Sequence, residues 1–309
     1  MDTEMLYNKF LGSMVGTAIG DALGAPFEGQ QGFMEAEIIA SAAQQKILKY
    51  TDDTHMMIGI AESLIEKKGF DGDHMAHRFA DNFFADPFRG YGSGPPFVFG
   101  LISNGHAWDK ASEELPDGGS YGNGAAMRIA PIGMFYHSNP KRLRDIAEQS
   151  SQITHSHALG KEGAVLQACA VSLAANLDPA PSFNQAKFLN GIKALARQDI
   201  YKQKLDKIEN LLDIPLKASV VAELGNGVAA SDSVPAAIFS FLAHPKSFEN
   251  TVVYAINLGG DTDTIGAMAG AISGAYLGIE AIPEKWRAKL ENKLYIEGLA
   301  EKLWRIKSQ

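Results

Sequence analysis

The chain has 309 residues, 46% of them hydrophobic and 21% charged, with a formal net charge of −8. That balance describes a folded globular protein with a large core and excludes a disordered one; with no basic block, unassisted binding to nucleic acid or an anionic membrane is disfavoured. The single cysteine, Cys169, excludes an intramolecular disulfide and a thiolate zinc cluster.

The N-terminus lacks the basic region, apolar core and cleavage site of a secretory leader, so a soluble cytoplasmic protein is the expectation. Phe10 to Phe27 is apolar and glycine-rich, but Asp21 and Pro26 interrupt it before it is long enough for a membrane span. Gly12, Gly16, Gly20 and Gly24 recur every four residues, and so do Gly266, Gly270 and Gly274, with Gly278 following. Spacing of four puts each set on one helix face. Glycine in a helix costs about 0.5–1 kcal/mol relative to alanine, so close approach of another backbone must offset it. Both helices are expected to pack centrally, the second carrying the turn before it into a site; plain core packing is the alternative.

Glu28 follows in a loop with glycines on both sides, Gly24-Ala25-Pro26-Phe27-Glu28-Gly29 and then Gly32. Those glycines predict mobility, and a solvated loop carboxylate is the simplest reading of Glu28 by itself. Tyr50-Thr51-Asp52-Asp53-Thr54 then opens an apolar, helix-like run, and Gly90-Tyr91-Gly92-Ser93-Gly94 forms a glycine loop. A richer loop, Pro116-Asp117-Gly118-Gly119-Ser120-Tyr121-Gly122-Asn123-Gly124, leads into the apolar run Ala125 to Ala130. Successive backbone N–H groups and a following helix N-terminus suit a phosphate or pyrophosphate, although a surface turn has the same composition.

Asn139-Pro140 reads as an N-cap and first helical residue, starting a helix through about Ser150. His155 and His157 stand two apart; polar roles suit them better than metal ligation. Ala164 to Asn176 is apolar almost all round and predicts a buried helix containing Cys169 as a small core residue. Asp178 to Phe183 reads as a surface turn. After the second acidic run, Gly259-Gly260-Asp261-Thr262-Asp263-Thr264, the residues Trp286, Leu290, Leu294, Leu299 and Leu303 recur at roughly helical spacing. Strand-like alternation is scarce and no linker is evident, so the expected fold is all-α, a single domain over residues 1–309.

The two acidic runs carry the chemistry. Four carboxylates and several threonine hydroxyls, if brought together, suit Mg²⁺ or Mn²⁺, which prefer all-oxygen, near-octahedral shells. Asp261 and Asp263 would diverge within a helix and converge only on a turn before it. Capping is the alternative, since Asp and Thr favour N-caps and the helix dipole stabilises anions there. Capping accounts for one acidic residue per helix and poorly for two.

From Phe10 to about Pro283 the motifs resemble, in order and spacing, those of the ADP-ribosylglycohydrolases. The matching segments include Gly-Asp-Ala-Leu-Gly before Glu28, Tyr50 to Thr54, Met75-Ala76-His77-Arg78-Phe79 through Gly94, Gly119 to Met127, Thr154-His155, Leu224-Gly225-Asn226-Gly227 and Gly259 to Gly274. The chain is most similar to the branch that removes ADP-ribose from serine and hydrolyses poly(ADP-ribose) and O-acetyl-ADP-ribose. The resemblance implies a compact orthogonal helical domain with two Mg²⁺, or Mn²⁺, in a central cleft. It implies Thr51, Asp52, Asp53, Asp261, Asp263 and Thr264 as metal ligands, with Glu28 on a mobile flap that also reaches a metal when substrate is absent. Glu28 and Asp53 are the implied proton-transfer groups. Gly118, Gly119, Ser120, Tyr121, Gly122, Asn123 and Gly124 would bind the diphosphate and distal ribose, with Asp52, Gly90, Gly94, His155 and Val228 also facing the ligand. The implied partners are ADP-ribose, ADP-ribosylated proteins and O-acetyl-ADP-ribose, without nucleic acid or membrane, and the expected state is a monomer. Ala25-Pro26, His55 and Ala125 depart from the family pattern without removing a donor atom. An arginine-specific hydrolase and a non-catalytic ADP-ribose-binding or structural relative are the competing readings.

Overall fold

The computed structural model describes residues 3–180 and 183–308. Pro181 and Ser182, in the expected turn at Asp178 to Phe183, lie outside the described residues. Among these there are sixteen α-helices: α1 (Thr3–Gly24), α2 (Glu35–Gln44), α3 (Asp52–Lys67), α4 (Gly72–Ala85), α5 (Gly94–Ser103), α6 (Ala130–Phe135), α7 (Pro140–Gln152), α8 (Ala158–Ala175), α9 (Gln185–Lys193), α10 (Asp199–Asp213), α11 (Lys217–Leu224), α12 (Ala230–Ala243), α13 (Phe248–Asn257), α14 (Thr262–Leu277), α15 (Glu284–Arg287) and α16 (Lys293–Lys307). Backbone pairing outside helices amounts to two isolated bridges among the described residues, Leu48 with Leu290 and Gly122 with Ala229. The all-α expectation therefore holds.

The centre of the molecule is the α1–α14 pair, its most extensive helix–helix contact. The two glycine faces meet each other. A Cβ placed on Gly266 would lie 2.6 Å from the Gly20 carbonyl oxygen, and one on Gly24 would lie 2.5 Å from the Asp263 Cα. Added side chains at Gly12 and Gly16 would likewise strike the carbonyls of Gly274 and Gly270. The backbones touch because nothing stands between them, and the contact runs up to Asp263. Thr262 Oγ1 completes it by donating to the Gly24 carbonyl at 2.9 Å.

α7 starts at Pro140 as expected, with Asn139 Oδ1 accepting from the Arg142 N–H at 3.1 Å. α8 is buried along most of its length, Cys169 included. The C-terminal apolar run is not one helix. Leu48 N–H donates to the Lys289 carbonyl and Glu291 N–H to the Leu48 carbonyl, and Asn292 turns left-handed at φ 52°. The run therefore breaks between α15 and α16, leaving Leu294 exposed.

Candidate metal centre and ligand loop

α3 and α14 deliver the two acidic runs by their N-termini. At α3 the N-cap is Thr51, whose hydroxyl accepts from the Asp53 N–H at 3.4 Å, so neither Asp52 nor Asp53 is used as a cap. At α14 the N-cap position is Asp261, yet its side chain makes no capping hydrogen bond. Asp263 Oδ1 accepts from the Thr264 N–H at 2.9 Å, but capping leaves Asp52, Asp53 and Asp261 unexplained. Asp261 leaves the helical path (φ −86°, ψ 69°) while Asp263 sits in the first turn. That break lets two residues that diverge on a helix converge: ligand atoms of Glu28, Asp261 and Asp263 lie within 4.8 Å of one another. Thr264 Oγ1 approaches Asp53 Oδ1 at 3.4 Å, joining the two runs across the chain.

The Glu28 loop is stitched to the same turn. Gly29 N–H donates to the Gly260 carbonyl at 2.8 Å, and Gly260 N–H to the Gln30 carbonyl at 3.1 Å. Gly29, Gly32, Gly259 and Gly260 all have positive φ, a conformation in which glycine is unstrained. Asp261 is held from behind as well, its N–H donating to the Asn226 carbonyl at 2.9 Å and its Oδ2 accepting from Asn123 Nδ2 at 2.5 Å.

A residue to which the sequence reading assigned no site role completes the support. Asp21, on α1 and wholly buried, accepts from the Thr51 N–H at 3.0 Å, the Thr54 N–H at 3.1 Å and the Thr54 hydroxyl at 2.6 Å. It ties the α3 acidic turn to the glycine-faced helix. Its sequence signal was an aspartate inside an otherwise apolar helical run, an expensive placement unless the carboxylate is used.

The electrostatics call for a cation. Among the described residues, no Lys, Arg or His pairs with Asp21, Glu28, Asp52, Asp53, Asp261 or Asp263. Burial pushes the Asp52 carboxyl up to about 7, with Asp21, Asp261 and Glu28 adding to it. Burial, then Asp261, Asp21 and Glu28, pushes Asp263 up to about 9. Asp53 rises well above the usual range through burial and its acidic neighbours, Asp263 first. Burial raises Asp21 to about 6 against the pull of its threonine donors. Glu28, the exposed member, is raised by partial desolvation and Asp261. Asp53 Oδ2 is buried with no hydrogen-bond partner. An unpartnered oxygen among crowded carboxylates fits an oxygen-preferring divalent cation.

The glycine loop lies alongside. Asn123 N–H donates to the Val228 carbonyl and Ala230 N–H to the Tyr121 carbonyl, at 3.0 and 3.1 Å. This pairing brings Val228 and Tyr121, both more than half exposed, to one rim. Gly118 and Gly119 have positive φ, and Ser156 Oγ donates to the Gly118 carbonyl at 3.3 Å. Ser120 Oγ accepts from the Gly122 N–H at 3.1 Å. The helix expected directly after the loop is absent. Asn123–Ala125 is one 3₁₀ turn and α6 begins only at Ala130, so the helix that follows the loop in sequence does not start at it. His155 is buried beside the loop, its ring against Gly124, and burial together with Arg128 drops its pKa to about 3. His157 instead caps α8 by accepting from the Leu159 N–H. Gly90, with φ 89°, lies against Asp52, a Cβ there falling 3.6 Å from Oδ1, whereas Gly94 opens α5 against Leu115. None of the helices among the described residues is long and apolar enough to cross a membrane.

The family model for ADP-ribosylglycohydrolase matches residues 2–309. ADP-ribosylhydrolase ARH3 of Mus musculus is 37% identical, with 97% of this chain and 92% of that protein covered. ARH3 of Homo sapiens is 36% identical over 97% and 93%. Among solved structures, an "ADP-ribosylglycohydrolase-related protein complex" matches with a TM-score of 0.78 at 26% identity, covering 98% of this chain and 99% of that one.

Proposed function

The chain belongs to the ADP-ribosylglycohydrolase family, and we propose that it is a single-domain, divalent-metal-dependent hydrolase of the O-glycosidic bond at the anomeric carbon of ADP-ribose. Its substrates on this reading are serine-linked ADP-ribose, O-acetyl-ADP-ribose and poly(ADP-ribose). The observation that supports it is the convergence of Glu28, Asp261 and Asp263, joined to the other acidic run through the Thr264–Asp53 contact, with a buried Asp53 oxygen left unpartnered, beside the glycine loop.

Thr51, Asp52, Asp53, Asp261, Asp263 and Thr264 would hold two cations of the Mg²⁺ or Mn²⁺ type, with Glu28 reaching one of them only when substrate is absent. When bound, such ions bind ribose hydroxyls and polarise a water. The protein's own groups do the rest. The Ser120–Gly124 loop and His155 grip the diphosphate, and binding energy gained there positions the distal ribose over the acidic cluster. As the bond to the leaving oxygen breaks, positive charge grows at the anomeric carbon and ring oxygen, and the surrounding carboxylates stabilise it. Asp53 is only 2% exposed. Glu28 is exposed, so of the two it is the carboxyl placed to exchange a proton with solvent and pass it to the leaving oxygen.

The test is release of ADP-ribose from serine-linked, arginine-linked and O-acetyl substrates, with Mg²⁺ or with chelator. Release from the serine-linked and O-acetyl substrates only when Mg²⁺ is present is the expected result. Undiminished release in chelator refutes the metal dependence, and release from the arginine-linked substrate alone refutes the substrate assignment.

A further inference from the structure

Arg128 is wholly buried, and no carboxylate pairs with it among the described residues. Its guanidinium stacks over the Phe79 ring, 4.6 Å from the centroid. Nη2 donates to the Ser150 carbonyl at 3.0 Å, and Nη1 donates to Thr154 Oγ1 at 2.8 Å. Burying an arginine without a carboxylate is costly, and packing alone would be served by an apolar side chain.

What the arginine does is set the direction of a hydrogen-bond chain. A guanidinium only donates, and a threonine hydroxyl has one proton. Thr154 Oγ1 accepts from Arg128, so its own proton is left for its other partner, His155 Nδ1, at 2.7 Å. The reverse arrangement, with Nδ1 donating, would leave the buried hydroxyl proton without an acceptor among the described residues. Nδ1 therefore accepts, and a neutral imidazole whose Nδ1 accepts carries its proton on Nε2. Nε2 faces the glycine loop: a Cβ on Gly124 would lie 2.9 Å from it and one on Gly122 3.6 Å. It has no hydrogen-bond partner within the protein among the described residues.

We propose that Arg128 is a positioning residue that, acting through Thr154, locks His155 in the Nε2–H tautomer, so that the imidazole presents a fixed N–H donor to a diphosphate oxygen held on the Ser120–Gly124 loop. The ligand half of this statement rests on the ADP-ribose reading above; the tautomer half does not. The arrangement selects for an acceptor at that point. It offers phosphate oxygens a donor that needs no proton from solvent and refuses an N–H or ammonium group.

Long-range ¹H–¹⁵N spectra of histidine-labelled protein read the tautomer directly. In ligand-free protein His155 should show a bare Nδ1 and a protonated Nε2. Thr154→Val keeps the side-chain volume and removes the relay; it should give mixed tautomers and weaken ADP-ribose binding about tenfold, the value of one charge-assisted hydrogen bond. Arg128→Met should act likewise, and Thr154→Ser should restore both readouts. In a His155→Ala background Thr154→Val should have no further effect on affinity, which a general loss of core packing would not reproduce. A protonated Nδ1 in the wild-type protein overturns the proposal, and so does wild-type affinity in Thr154→Val. If the wild-type protein binds no ADP-ribose, the functional reading fails, while the ligand-free spectrum still decides the tautomer.

Discussion

Replacing Gly266 by alanine separates two physical effects of opposite sign. In an exposed helix the change is favourable by about 0.5–1 kcal/mol, because alanine loses less backbone entropy on folding. Here the added methyl would lie 2.6 Å from the Gly20 carbonyl oxygen and 3.1 Å from the Gly20 carbonyl carbon. Both are backbone atoms and cannot swing aside, so α1 and α14 must separate by several tenths of an ångström. Overpacking of this kind costs about 1–3 kcal/mol, leaving a net loss of up to about 2.5 kcal/mol. With an unfolding entropy of about 2.1 cal/mol/K per residue, the melting temperature should fall, by up to about 4 °C. Gly298, on α16, is the control: a Cβ there meets nothing within 4 Å, so Gly298→Ala should raise the melting temperature by about 1 °C. The site should register the first change and not the second. Gly20 precedes Asp21, which holds Thr51 and Thr54, and Gly266 follows the Asp261–Thr264 turn. Mn²⁺ titration by calorimetry should therefore show weaker binding in Gly266→Ala and unchanged binding in Gly298→Ala. If both variants gain stability and keep wild-type Mn²⁺ affinity, the glycine faces do not set the site's geometry.

Metal removal should invert the usual pH dependence of stability. With pKa values raised to about 6, 7 and 9, Asp21, Asp52 and Asp263 hold protons when folded that they release on unfolding, where carboxyls titrate near ~4. Their contribution is full below the unfolded pKa and is lost as pH rises through the folded values. In chelator the melting temperature should fall between about pH 5 and 9, and saturating Mg²⁺ should recover most of the loss; a pH-independent transition in chelator contradicts this. Asp21→Asn removes a charge and one acceptor from beneath the α3 turn, so Mn²⁺ affinity should drop about 10- to 100-fold, as for other residues that orient metal ligands, with circular dichroism unchanged. Glu28→Ala should abolish turnover while calorimetry still detects ADP-ribose; loss of both would remove Glu28 from the proton-transfer role.

The parts of the site legible in the sequence were those with a local signature. Paired acidic residues at helix starts stood out because one cap explains one carboxylate and not two, and the structure shows Thr51, not Asp52 or Asp53, doing the capping. Glycines four apart marked both central helices because glycine is costly in a helix unless something needs the space. That the two faces meet each other is a tertiary fact, and periodicity alone does not contain it. The C-terminal run failed for a related reason. Its apolar spacing continues through Leu290 and Leu294, but the pairing of Leu48 with that stretch and the left-handed Asn292 end one helix and start another.

Asp21 and Arg128 show why supporting residues hide. Each is a lone charge in an apolar stretch, and in sequence a lone charge reads as an interruption. Asp21 appeared as a reason why Phe10 to Phe27 does not span a membrane and as one letter of the Gly-Asp-Ala-Leu-Gly match, with no role given to it, and Arg128 lay unremarked in the run after the glycine loop. Their partners, Thr51 and Thr54 for one and Ser150 and Thr154 for the other, are 22 or more residues away and are polar groups too common to draw attention. Energy supplies the missing criterion. A carboxylate or guanidinium taken out of water without an opposite charge costs several kcal/mol, and a fold tolerates that where the charge is needed for another purpose. Asp21 spends its lone pairs on orienting a ligand-bearing turn, and Arg128 spends its protons on orienting a hydroxyl. A lone charge in the middle of an apolar run, in a chain already suspected of holding metal or an anion, is thus a signal for the second layer of a site, read before any homologue is aligned.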